Sequence, residues 1–469
     1  MHIKYLQTGQ VAKIRSDIRQ MTTLSQVIDY IPRESLDKLA YLSIQIWLVS
    51  PVLVMIGNLF FRGQDDAQQS YRLAMMVVLW YIFLTISGVL GLLTGLLMSA
   101  KSRGSVLQRK NRFTWIINNH LVPSLLILFL FWSLLSALLS PNPDIALGGT
   151  FYRQDGWQSY LLYAGIFCSG YCLRSQLKIR WVIITICVSA SLLALFSILH
   201  MSWMKLLLGL EPESSVFHNS NHYAYYLCIA IFCSYTGLLQ TKKAAPSALL
   251  FWSSFTINTA ALVLNQSFGP YLAVMVGLSV ALILALLYEK ANIRKTITVV
   301  IVFALLSLVL NLDSMHILQD IRLTLNGMRQ ITTGDALAGH AGSGRWGLWV
   351  AAFKFMLERP VFGFGPDNLG PSYLKLGIGA DRPHNEILQF AASLGIPAAL
   401  LYATAVLVHL RDWFLQRKQA TALSIGLVCL LLAYWFSSLF GNTMYYTTPF
   451  FVLFWGLSAG QLRRSVQKK

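Results

Sequence analysis

Arg345, Arg382 and His384 stand in one long polar connection of an otherwise apolar chain, and their types suit work on an anionic group. A guanidinium is planar, stays charged at any physiological pH and matches the oxygens of a phosphate. An imidazole, with an unperturbed pKa of about 6.5, exchanges a proton near neutrality. Such a set can hold negative charge and activate a hydroxyl. Asn385 follows His384 directly, and Arg153, Asn219, Asn221 and His222 stand at the edges of other apolar runs. Each has a plainer alternative: capping or an interfacial position for His384 and the asparagines, headgroup contact for the arginines.

The elements that must position these residues are helices in a membrane. Of 469 residues, 55% are hydrophobic and 12% charged, about half the charged share of an ordinary soluble domain. About twelve runs approach the ~20 apolar residues that a spanning helix needs. They lie near 39–61, 72–99, 121–140, 158–173, 181–200, 222–240, 247–264, 270–288, 296–312, 385–409, 422–439 and 446–462. The chain reads as an all-α integral membrane protein. Residues 1–38 form a cytoplasmic segment, 39–462 one polytopic domain, and 463–469 a basic cytoplasmic tail.

The net charge of +18 is dispersed over alternate loops. With the N-terminus inside, Lys101, Arg103, Arg109, Lys110, Arg112, Arg174, Lys178 and Arg180 fall on inner connections, whereas the short outer loops hold only Arg62, Arg153 and Lys205 as cations. This places both termini in the cytoplasm. Scattered in this way, the basic residues exclude nucleic acid as a partner and leave membrane lipids as one. The six cysteines lie in apolar runs without metal-ligand spacing, and no cleavable signal peptide precedes the first run.

One outer connection, 313–384 between the ninth and tenth runs, is long, which is a mark of a functional loop. Helical spacing over 316–330 and 344–358 predicts two helices lying at the outer membrane surface. The runs themselves are almost free of charge at their middles, which disfavours an ion-coupled transporter.

Gly342-Ser-Gly-Arg345-Trp346, Pro360-Val-Phe-Gly363-Phe-Gly365 and Arg382-Pro-His384-Asn385 followed by Gly395 resemble the signature region of the O-antigen ligase family. That family includes O-antigen ligases, Wzy-type polysaccharide polymerases and protein O-oligosaccharyltransferases. The resemblance extends over residues 130–460 through Ser140-Pro-Asn-Pro143, Arg153 and the Asn-rich Phe217-His-Asn219-Ser-Asn221-His222. Two positions depart: Ala398 ends the histidine motif, and Ser267-Phe268-Gly269 stands where the family commonly has Ser-Arg-Gly.

The resemblance implies a GT-C-like fold in a bacterial cytoplasmic (inner) membrane. It also implies transfer of a glycan from an undecaprenyl diphosphate donor to a glycan, lipid or protein acceptor at the outer face, in surface polysaccharide polymerisation or ligation. Arg345 and His384 would be catalytic, Arg345 with Arg382 holding the diphosphate and His384 activating the acceptor. Arg153, Arg382, Asn219, Asn221, His222 and Asn385 would bind substrate. No metal or cofactor is called for, and inversion at the anomeric carbon is expected. The arginine absent at Phe268 tilts the reading toward a polymerase or a divergent ligase. The rival from another class is a polysaccharide or glycolipid transporter or flippase.

Overall fold

A computed structural model describes residues 17, 21–58, 66–107, 112–199, 215–241, 245–288, 290–311, 316–333 and 344–467. Among these the chain is helical, with no strand. Nine long helices come first: α1 (Arg33–Asn58), α2 (Asp66–Leu107), α3 (Arg112–Leu138), α4 (Trp157–Cys172), α5 (Gln176–Leu199), α6 (Ser220–Gln240), α7 (Pro246–Asn265), α8 (Phe268–Tyr288) and α9 (Ile293–Asn311). The long connection contains α10 (His316–Thr333) and α11 (Arg345–Glu358), the two helices expected there. After it come α12 (Glu386–Leu394), α13 (Ile396–Leu415), α14 (Ala422–Ser438) and α15 (Thr448–Gln467).

Where described, the twelve apolar stretches form helix, and among the described residues eight helices are long and apolar enough to cross a membrane: α1, α2, α3, α5, α7, α8, α9 and α13. The other four, α4, α6, α14 and α15, share a physical reason. They pack mainly on one another and on the eight, with α4 against α15, α6 against α14, and α14 against α15. α6 is buried at every position from His222 to Leu239. A helix surrounded by protein needs no continuous apolar surface and tolerates the Tyr, Ser, Cys and Thr that lower its hydropathy.

Glycines set the closest of these approaches. A Cβ at Gly91 of α2 would lie 2.0 Å from the Gly165 carbonyl oxygen of α4, and one at Gly165 would lie 2.0 Å from that of Gly88. On its other side α4 meets α15, where Gly170 faces the Leu453 carbonyl and Gly456 and Gly460 face those of Phe167 and Tyr171.

The stretch expected to be one helix over 385–409 is broken. α12 ends and α13 begins at Gly395, whose φ is +90°. A Cβ there would lie 2.0 Å from the Val361 carbonyl oxygen. The motif segments therefore pack on one another: Phe364 N–H donates to Ala392 O (3.1 Å), Gly365 N–H to Ser393 O (2.7 Å) and Ile396 N–H to Pro360 O (2.8 Å). The end of α3 holds the same strip, through Ser140 Oγ to Phe364 O (2.7 Å) and Trp132 Nε1 to Val361 O (3.1 Å). Gly395→Ala combines a disfavoured φ with a backbone collision, so a loss of about 3 kcal/mol is expected. Thermal unfolding of the purified variant, read beside Ala399→Gly in the next helical turn, checks this.

Candidate functional site

The site gathers at the end of the bundle where α4 and α15 begin and α14 ends. Four segments build it: the loop before α4, the turn before α6, the N-terminus of α11 with the 360–385 strip, and the connection 439–447. That last connection is non-helical and is buried from Gly441 to Thr447. Irregular backbone at such a place must be satisfied by protein groups. Asn385 Nδ2 donates to Leu439 O (3.1 Å), and Arg382 Nη1 donates to Thr443 O (3.2 Å).

Arg382 lies at the centre with 2% of its surface exposed. Its Nη1 donates to Asp155 Oδ2 (3.3 Å) and its Nη2 to Asp367 Oδ1 (2.8 Å), while Nε stands 3.4 Å from Asp381 Oδ2. Asp155 Oδ2 also accepts from Thr443 Oγ1 (2.9 Å) and Gln389 Nε2 (3.1 Å). Asp367 Oδ2 accepts from the Thr150 N–H (2.7 Å) and hydroxyl (2.8 Å). Burial would lower the Arg382 pKa, but Asp381, Asp155 and Asp367 together raise it. Burial pushes Asp155 up to about 7, with Arg382 opposing. Arg153 reaches the outer edge of this cluster, with Nε 2.6 Å from Asp381 Oδ2 and Nη2 3.1 Å from Oδ1. Burial tends to raise Asp381, yet Arg382 and Arg153 hold it below the usual carboxylate range.

His384 is half-buried and adopts a left-handed backbone, φ +52°. Its Nδ1 lies 3.1 Å from the Asn442 side-chain amide. Burial pushes its pKa down to about 4, helped first by the charge of Arg345 and then by that of Arg382. Gln154, His218 and Asp367 share the positive φ. Four such residues in the segments that build the site are unusual, because the conformation costs a non-glycine residue free energy that surrounding contacts must supply.

Arg345 opens α11. The residue before it, Gly344, has φ +81° and offers no side-chain cap, so the first N–H groups of the helix lack a side-chain partner from the N-cap residue. Among the described residues no carboxylate pairs with Arg345. It is half-buried, and Trp349, one turn on, packs 6.3 Å from Phe440 in the buried connection. Gly342 and Ser343, the start of this motif, lie outside the described residues.

His222 is buried at the start of α6, with its ring edge-on to Tyr446 (5.4 Å) and Nδ1 lacking a hydrogen-bond partner among the described residues. The charges acting on it include Arg153, Arg382 and His384. Asn219 caps α6, its Oδ1 accepting from the Asn221 N–H at 2.8 Å. Asn385 caps α12, its Oδ1 accepting from the Leu388 N–H at 3.0 Å. Both asparagines therefore use their side chains on the backbone, as their plainer alternatives required. Phe268, which stands where the family commonly has arginine, begins α8, and the adjacent Gly269 approaches Phe440.

Composition did not single out Asn442, Thr443 or Gln389. For Asn442 and Thr443 the sequence signal is a polar cluster, Gly441-Asn-Thr443, between two apolar runs, whereas Gln389 lies within an apolar run.

Residues 253–403 match the O-antigen ligase family model. The matched segment carries the motifs that resemble this family, and the match bears out that resemblance. The match takes in Arg345, Arg382, His384, Asn385 and Gly395, and leaves Arg153, Asn219, Asn221 and His222 outside it. No curated protein and no solved structure matches the chain. The match and the eight apolar helices together indicate a multi-pass membrane protein.

Proposed function

We propose that the protein is a membrane glycosyltransferase that moves a glycan from a polyprenyl diphosphate, undecaprenyl diphosphate in a bacterial inner membrane, to an acceptor hydroxyl. The observation that carries this reading is Arg345: a cation free of carboxylates among the described residues, at a helix N-terminus without a side-chain cap, whose charge bears on His384. A helix start with spare N–H groups and an arginine attracts the oxygens of a diphosphate. Twelve spans with both termini cytoplasmic would turn this site to the outer face.

In this mechanism the acceptor oxygen attacks the anomeric carbon from the side opposite the diphosphate. The bond from that carbon to the phosphate oxygen breaks, and the lipid diphosphate leaves with the electron pair. His384 takes the acceptor proton, and Arg345 with the α11 N–H groups stabilises the charge that grows on the leaving oxygens. In the base form of His384 the Asn442 amide, whose Nδ2 faces Nδ1 at 3.1 Å, turns so that Oδ1 accepts from Nδ1–H, which leaves the Nε2 lone pair for the acceptor. Arg382, closed in by three aspartates, is a positioning residue, and Arg153 braces Asp381 beside it. Asn385 and Asn219 fix the starts of α12 and α6, and His222 and Asn221 border the acceptor side. Neither a metal nor another cofactor enters this scheme.

Burial, with the charges of Arg345 and Arg382 adding to it, keeps the His384 base weak. Bound diphosphate adds negative charge and restores its basicity, so donor binding prepares the base. The sign of the pH effect follows. With a pKa near 4, below the usual 6.5, the ring is neutral at pH 7 and protonates only as pH falls through about 4. Arg345→Gln removes the leading charge and moves this midpoint upward. The rate of His384 carbethoxylation by diethyl pyrocarbonate, followed against pH in donor-free protein, tests this. Wild type should show no decline from pH ~8 to ~5, whereas Arg345→Gln should show one beginning at higher pH. Identical profiles would separate Arg345 from the His384 site.

Polymerase and ligase bind the same donor and differ in the acceptor. Phe268 in place of arginine favours a polymerase or a divergent ligase, for which a product ladder rather than a single transferred block is the expected sign.

A further inference from the structure

At the end of the bundle opposite His384, α4 and α15 finish side by side, and α3 lies against them. Arg463 and Arg464 stand there on the last turns of α15. Arg463 packs over the Tyr171 ring at 5.7 Å and its Nη1 reaches the Tyr171 hydroxyl (3.4 Å), while Arg464 Nη1 reaches only the Tyr171 carbonyl (3.5 Å). Arg463 Nε and Arg464 Nε and Nη2 are buried without a hydrogen-bond partner among the described residues. The charges around Arg464 include two further cations, Arg174 and Arg463. Asp37, a carboxylate of this end, is taken by Lys178 Nζ (2.6 Å) and the Arg174 N–H (2.7 Å). Two guanidinium groups with buried unused donors, and the charge of the exposed Arg174 acting on one of them, call for an anion.

Along the same three helices runs an open-sided slot with an empty volume of about 810 Å³. Its walls are apolar, with Pro123, Ile127 and Leu130 from α3, Ala164 and Phe167 from α4, and Trp455 from α15. Glu386 and Thr443 stand at the far end, toward the candidate site. Pro123 is one helical turn from His120, whose Nδ1 lies 2.8 Å from the Tyr171 hydroxyl. The lining residues Pro123 and Cys168 thus stand about one helical turn from the His120–Tyr171 pair that Arg463 covers.

We infer that Arg174, Arg463 and Arg464 with the α3–α4–α15 slot form a binding site for one anionic phospholipid of the leaflet opposite the candidate active site. Its phosphodiester lies on the arginines and an acyl chain lies in the slot. A neutral lipid supplies no net charge for the arginines, and a soluble phosphate supplies no chain for the slot. Its arginines and Ala164 take no part in transfer, and the assignment does not depend on the transferase reading. Occupied, it would brace α15 against α4, the pair that frames the candidate site from below.

Native mass spectrometry of the full chain in neutral detergent tests this, with phosphatidylglycerol, phosphatidylcholine, undecaprenyl phosphate and glycerol 3-phosphate as probes. Phosphatidylglycerol should be retained about tenfold better than phosphatidylcholine, and glycerol 3-phosphate should not displace it. Arg463→Gln/Arg464→Gln should abolish the preference, and Ala164→Phe, which fills the slot, should lower retention of both phospholipids. The wild-type comparison decides even where a variant fails to fold. Equal retention of the two phospholipids, full displacement by glycerol 3-phosphate, or preference for undecaprenyl phosphate over phosphatidylglycerol would each overturn the assignment.

Discussion

His384→Ala is expected to lower glycan transfer by roughly 10²- to 10⁴-fold while the protein inserts and unfolds as the wild type does, the range typical of losing a general base. His384 makes one side-chain hydrogen bond, to Asn442, and stands half-exposed, so its removal leaves neither a large cavity nor a buried charge. His384→Gln retains a polar group of similar reach but has no titrating nitrogen, and it should be equally inactive. Asn442→Ala separates base chemistry from placement. It keeps the imidazole but releases Nδ1, so part of the activity should survive. Activity of His384→Gln near the wild-type level would assign proton transfer to another group.

Arg382→Ala should behave in the opposite way, as a folding lesion first. It strands Asp155 and Asp367, both buried and each directed at the guanidinium, and removing one partner of such a buried cluster costs about 3–5 kcal/mol. Arg382→Lys should recover little of this, since a single ammonium cannot meet Asp155, Asp367 and the Thr443 carbonyl in the fixed directions of the guanidinium. Arg382→Met combined with Asp155→Asn and Asp367→Asn removes the stranded charges and should recover part of the stability without restoring activity. Thermal unfolding of the purified variants separates these outcomes. An Arg382→Ala protein as stable as the wild type but unable to bind donor would return Arg382 to direct substrate contact.

That contrast shows what the sequence could convey. The types of Arg345 and Arg382 are the same, and both lie in the motif region, so their spacing alone gives them the same role. They are told apart by partners: Asp155 is 227 residues from Arg382 and pairs with it only after α4 and the 382 segment come together, whereas Arg345 meets no described carboxylate. The motif glycine Gly395 was legible as a position. Its reason, a left-handed break pressed against Val361, needed the fold. The helices at 316–333 and 345–358 followed from residue pattern directly.

Hydropathy located the helical stretches but could not distinguish a helix facing lipid from one enclosed by protein. The Gly91/Gly95 and Gly456/Gly460 spacings, four residues apart in apolar runs, are the kind of signal that marks an enclosed interface. The connection 439–447 was the least legible element. In the sequence it is a short gap between two runs, and in the fold it is the buried floor that orients His384 through Asn442 and Arg382 through Thr443.

The most direct test of the transferase reading is glycan transfer by purified protein in nanodiscs, supplied with an undecaprenyl diphosphate oligosaccharide and candidate glycan, lipid and protein acceptors. Wild type should lengthen glycans or move a block to one acceptor, and His384→Ala and Arg345→Ala, both folded, should fail. Product formed at wild-type levels by either variant would contradict the account.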